Sequence, residues 1–199
     1  MSWIEDKAQA VLERVREAEA NQVYPFFRRF ERGGLHTSIA GKSIVNFSSN
    51  DYQGLTMHPK VLEAAERAVK DYGVGLSSSR PQATTTLHVE LEERLASFFG
   101  FEAALTFTTG YQAMVGAIMS LGDSDVTLVL DNLSHACILD GTFLAAGTPT
   151  KGTEVRFFNH NSARSLERVL KSKQRDHALV LVEGVYSLDG DLGLSLIHI

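Results

Sequence analysis

The chain has 199 residues, 44% hydrophobic and 22% charged, the balance of a soluble globular protein with one sizeable core or slightly more. Its net charge of −5 does not favour nucleic-acid binding, and its single cysteine, Cys137, permits no intrachain disulfide. The acidic start, Met1 to Asp6, is no secretory signal, and no apolar run approaches the roughly 18 residues a membrane span needs, so a cytoplasmic location is expected.

Residues 2–22 read as an amphipathic helix, with Trp3, Ile4, Ala8, Val11, Leu12 and Val15 at helical spacing. Tyr24-Pro25 ends it, and Phe26 to Phe30 is an aromatic and basic anchor segment. Gly33 to Phe47 reads as a β-hairpin whose second strand is Ile44 to Phe47. A polar turn, Ser48 to Leu55, leads to a helix opened by Pro59 and running from Val61 to Tyr72. The Gly/Ser loop from Gly73 to Pro81 is too short and embedded for an interdomain tether, which favours a ligand-facing role. A helix follows over 87–99, with Thr84 or Thr85 as its cap.

The stretch Leu105 to Met114 organises the rest. A short apolar run with β-branched residues ends in Thr108-Thr109-Gly110, and a helix over 113–121 follows. A strand–turn–helix junction exposes free N–H groups and partial positive charge, which suits a phosphate, although an ordinary capped turn would have the same sequence. Strands are then expected over 126–131, 155–158 and 178–183, alternating with helices from His135 to Ala146 and over 162–172. From residue 101 onward this β-α-β-α-β-α-β order predicts an α/β fold with a parallel sheet covered by helices. Ligands of such sheets bind at the carboxyl ends of the strands. Those ends are Thr109-Gly110, Asp131 with His135, His160-Asn161, and Glu183 with Ser187. His135 is placed to stack on a flat ring or to move a proton. Glu183, after an apolar run, requires a partner, and capping a helix or bonding the loop is its plainest role. No metal is expected, because His135, His160 and Cys137 lack ligand spacing. A serine hydrolase is disfavoured by the absence of a G-x-S-x-G elbow.

Several of these segments together resemble the α-oxoamine synthases, over about Trp3 to Gly193 and in the right order. They are Asn46 to Tyr52, Thr109-Gly110-Tyr111, Leu133-Ser134-His135-Ala136, His160-Asn161, and Glu183 to Asp191. Members of that family are pyridoxal-phosphate enzymes that condense an acyl-CoA with a small amino acid and release CO2. The resemblance implies a type I pyridoxal-phosphate transferase fold, with 1–56 in the small domain and 57–193 in the large one. It implies that the amides of Gly110 and Tyr111 meet the cofactor phosphate. His135 would stack on the pyridine ring, Ser187 would lie near the ring hydroxyl, and Glu183 would join the same loop network. Asn50 and Arg80 would face the substrate, and the parent enzyme would be a homodimer. Two rivals stay open: another pyridoxal enzyme, an aminotransferase or lyase, and a non-enzymatic relative acting by partner binding.

The family pattern is not matched everywhere. Members that take pimeloyl substrates carry an arginine before the Tyr-Pro pair, where this chain has Asn21-Gln22-Val23, and Gln53 replaces a usual leucine. The later aspartate for the pyridine nitrogen and the Schiff-base lysine have no counterpart in this sequence. The residues 194–199 leave the family pattern and match the translation of a transposase adapter used in sequencing libraries. The chain is therefore expected to be a fragment, inactive on its own, whose native sequence stops after about Gly193.

Overall fold

A computed structural model gives the protein's structure and describes residues 2–24 and 29–194, so the expected anchor segment lies mostly outside the described residues. The chain forms two compact units, Met1–Thr84 and Thr85–Ile199.

In the first unit, helix α1 (Trp3–Ala20) starts with a reciprocal cap. The Ser2 hydroxyl accepts the Glu5 N–H at 3.3 Å, and the Ser2 N–H donates to the Glu5 carboxylate at 2.6 Å. Glu5 and Asp6 also place negative charge against the positive helix end. The strands β1 (His36–Ile39) and β2 (Lys42–Val45) pair antiparallel, with Ile39 opposite Lys42. Ala40 and Gly41 close the turn with φ of 49° and 74°, the left-handed pair that a two-residue hairpin requires. Helix α2 (Pro59–Tyr72) has Pro59 in its first turn, where no N–H is needed.

The second unit begins with α3 (Thr86–Phe99), capped by the Thr85 hydroxyl, which accepts the His88 N–H at 3.2 Å. There follow α4 (Gly110–Leu121), β3 (Val126–Asp131), α5 (Ala136–Gly147), β4 (Glu154–Phe158), α6 (Ala163–Ser172) and β5 (His177–Leu181). The sheet order is β4-β3-β5 and both pairings are parallel. The central strand is buried on both faces, and its side chains alternate. Leu128 and Leu130 pack with Ile118, Ile138 and Ala145 of α4 and α5, while Val129 packs with Phe158 and Leu166 on the side of α6. Gly141 lets α4 and α5 approach closely, since a Cβ there would stand 3.1 Å from the Val115 Cα.

The structure corrects two expectations. Residues 101–109 form no strand, although the junction into α4 is as anticipated. A strand needs a neighbour, and the Thr106 N–H and hydroxyl instead donate to the Glu92 carboxylate of α3 at 2.8 and 2.9 Å. The last parallel strand stops at Leu181, and an unforeseen antiparallel hairpin follows, β6 (Val185–Tyr186) with β7 (Asp191–Leu192). Among the described residues, no helix is long and apolar enough to cross a membrane.

Candidate active site

Helix α5 begins immediately beyond the carboxyl end of β3, and its N-cap is His135. The ring Nδ1 of His135 accepts the Cys137 N–H at 3.2 Å and lies 3.0 Å from the Cys137 sulfur. Burial pushes the Cys137 thiol up, so it stays protonated and a poor nucleophile. Glu183, just past β5, accepts the backbone N–H of His135. This is the loop bond that a carboxylate after an apolar strand requires.

The two loops enclose a cavity of about 290 Å³, lined by Leu133 to Ala136 on one side and by Glu183 and Tyr186 to Asp189 on the other. His135, Glu183 and Ser187 are thus brought together. Ser134, 6% exposed, contributes a buried hydroxyl with no hydrogen-bond partner among the described residues. A buried hydroxyl left this way is costly and points to a bound polar group.

Gly110 and Tyr111 are the first two residues of α4, and they do not line that cavity. The Thr109 hydroxyl accepts the Gln112 N–H at 3.1 Å, which leaves the Gly110 and Tyr111 N–H groups without an intrahelical acceptor. A Cβ on Gly110 would meet nothing within 4 Å, so the approach is open. Tyr111 ties α4 to α5 by donating its hydroxyl to Asp140 at 2.7 Å, a bond that raises its pKa. Asn50 and Arg80 belong to the first unit, and the residues lining the cavity belong to the second. Asn50 is exposed, with its side-chain oxygen 3.5 Å from the Tyr52 hydroxyl.

Asp131 does not partner His135. Its fully buried carboxylate accepts the Leu133 and Asn161 N–H groups, each at 2.9 Å, and His160 Nδ1 at 2.8 Å. Burial pushes the Asp131 pKa up, but those bonds outweigh it and hold the carboxyl below its ordinary value. The opposite nitrogen of His160 lies 2.8 Å from Asp191. Tyr186, 2% exposed, sets its ring edge-on to His160 at 4.5 Å, and burial above all pushes its hydroxyl up to about 12. His160-Asn161 sits at a strand end as its sequence implies, but the network carries no local sequence signal, because Asp191 reaches it only through the β6–β7 hairpin. His160, Asp189 and Asp191 bring potential ligand atoms within 4.8 Å of one another. Both ring nitrogens of His160 already engage carboxylates, so the group is closed as a hydrogen-bonded network.

The sequence model of the family "Aminotransferase class I and II" matches residues 42–193. A serine palmitoyltransferase from Bacteriovorax stolpii is 36% identical over 186 residues, 92% of this chain and 43% of that protein. An 8-amino-7-oxononanoate synthase from Beijerinckia indica subsp. indica is 42% identical over 162 residues, 80% of this chain and 40% of that protein. The solved serine palmitoyltransferase of Sphingomonas wittichii superposes with a TM-score of 0.84 at 29% identity, covering 97% of this chain and 48% of that one. That of S. paucimobilis, solved with a bound PLP–myriocin aldimine, gives a TM-score of 0.86 at 30% identity with the same coverage. Both kinds of relative are α-oxoamine synthases, as the sequence motifs implied, and this chain spans less than half the length of each of these four. Its fold, its matched residues and its relatives together place the chain in the aminotransferase class I and II family.

Proposed function

We propose that this chain carries the cofactor-facing part of an α-oxoamine synthase, a pyridoxal-phosphate enzyme that joins an acyl-CoA to glycine, alanine or serine with loss of CO2. One observation carries the reading: His135, 48 residues from Glu183 in sequence, lines one cavity with Glu183 and Ser187 at the carboxyl edge of a parallel sheet. Pyridoxal 5'-phosphate suits the donors there. An imidazole, a hydroxyl and the unpartnered Ser134 hydroxyl match a flat ring that carries oxygen substituents. The cofactor supplies the electron sink for the carbanion when bound. The chain's own residues bind and orient. His135 holds the ring by stacking, Ser187 holds the ring hydroxyl, and the Gly110 and Tyr111 amides receive the phosphate. Glu183 fixes the His135 loop through its backbone, and Asn50 and Arg80 take the substrate.

The same reading assigns 1–56 to the small domain and 57–193 to the large one, and makes the working enzyme a cytoplasmic homodimer. Residues 1–199 alone have no turnover, since among the described residues no lysine lines the cavity. The first test is titration of this chain with pyridoxal 5'-phosphate, followed by cofactor absorbance. His135→Ala should weaken binding about tenfold or more, the loss of roughly 1.4 kcal/mol of stacking and orientation. The second test is acyl-CoA-dependent release of free CoA by a protein of the relatives' full length that contains residues 2–193. Amino transfer with no release of CoA would move the reading to another pyridoxal enzyme.

A further inference from the structure

The cavity wall formed by Tyr186 to Asp189 stands on a weak element. The β6–β7 ladder has only two residue pairs, Val185 with Leu192 and Tyr186 with Asp191. A ladder that short does not hold itself together in water. Beyond the Gly190 to Tyr186 and Gly193 to Gly184 backbone bonds, its support comes from outside the hairpin. His160 spans from Asp131 at the end of β3 to Asp191 in β7, with 2.8 Å at each nitrogen. Asn161, in the left-handed region at φ 49°, donates its backbone N–H to Asp131 and its side-chain amide to Asp191 and to the Leu192 carbonyl.

We propose that His160 is a positioning residue: in its doubly protonated form it fastens the β6–β7 hairpin, and with it the Ser187 wall of the cavity, to the carboxyl edge of the parallel sheet. A carboxylate only accepts, so each ring nitrogen that faces one must donate, and only the imidazolium donates from both. The neutral ring can satisfy Asp131 or Asp191 but not both, and then turns a lone pair toward the other carboxylate. The groups facing the ring are Asp131 from β3, Asp191 from β7, Tyr186 from β6 and Asp189 from the hairpin turn. Two acidic neighbours hydrogen-bonded to the ring, Asp131 first and Asp191 second, raise its pKa above the ordinary histidine value. A raised folded-state pKa means that the fastening is complete below the ordinary value and is released as pH climbs through the raised one. The inference stands on the cavity's geometry and holds whichever ligand fills it.

Amide hydrogen exchange on the whole, ligand-free chain tests this, with β3 as the internal control. In His160→Gln, protection over Tyr186 to Leu192 should fall about tenfold or more, as loss of charge-assisted bonds implies, while β3 keeps its protection. Asp191→Asn, which keeps an acceptor oxygen but not the charge, should give a smaller loss confined to the same residues. Unchanged hairpin protection in His160→Gln, or equal loss across β3, overturns the proposal. If His160→Gln does not fold, the unaltered chain decides. Its hairpin protection factors must fall as the His160 ring loses its second proton in nitrogen-detected NMR, and pH-independent protection overturns the proposal.

Discussion

Glu183 accepts the backbone N–H of His135 across 48 residues of sequence, so the end of one parallel strand fixes the loop at the end of its neighbour. Removing the acceptor strands that N–H at the mouth of the cavity. Glu183→Ala should cost about 1.5–3 kcal/mol in urea denaturation, the range for a hydrogen bond to a charged group. Glu183→Gln keeps an acceptor oxygen and should cost less than half as much. Equal losses for the two variants would show that the charge, and not the bond, holds the loop.

Gly141 of α5 packs closely against α4. A Cβ there would stand 3.1 Å from the Val115 Cα and 3.2 Å from the Ile118 Cβ, and the backbone atom cannot move aside alone. Gly141→Val should destabilise by about 1–3 kcal/mol through overpacking, measured by thermal or urea melts. Gly141→Ala should come out milder, because up to about 1 kcal/mol of helix propensity offsets its crowding.

Glu154 bridges three segments. It accepts the Thr127 hydroxyl at 2.5 Å, the Gln174 N–H at 3.0 Å and the Arg156 guanidinium at 2.7 Å. Burial acts to raise its pKa, yet those partners prevail and bring it down to about 2 from 4.5. Because the folded value is depressed, the stabilisation is present above 4.5 and is lost as pH falls toward about 2. Stability measured across that window should decline with acid, and Glu154→Gln should flatten the decline. The slope that survives in the variant belongs partly to Asp131, whose depressed pKa acts in the same direction.

At the base of the hairpin, the Gly193 N–H donates to the Gly184 carbonyl at 3.0 Å, and a Cβ on Gly193 would fall 1.8 Å from the Glu183 carbonyl oxygen. No real side chain tolerates that distance to backbone. Gly193→Ala should therefore open the hairpin base and raise amide exchange over Tyr186 to Leu192, while β3 and β4 keep their protection. Unaltered exchange at Tyr186 would contradict the close approach.

Local chemistry was legible in the residues themselves. The hairpin around Gly41, Pro59 in a first turn, a threonine cap at 84 or 85, the capped turn before α4, and the apolar runs of β3 and β5 each depend on near neighbours in sequence. The motifs at His135, Glu183 and Ser187 also stood out, because strand ends in an alternating α/β chain point to one edge. What they could not show is pairing over distance. Leu105 to Phe107 has the composition of a strand, but Glu92 of α3 takes the Thr106 N–H that a ladder would need. Asp131 and His135 share one strand end in the sequence, but nothing local names the partner of Asp131, and the parallel register of β3 and β4 brings His160 to it. Asp191 joined them only because a hairpin with two residue pairs turned it back onto the sheet. Sequence by itself determined the helices, the three parallel strands and the edge at which the strand-end motifs gather, since backbone propensity and capping are local. Tertiary structure alone decided which carboxylate meets which histidine, since a buried charge takes the donor that the packed chain brings within reach.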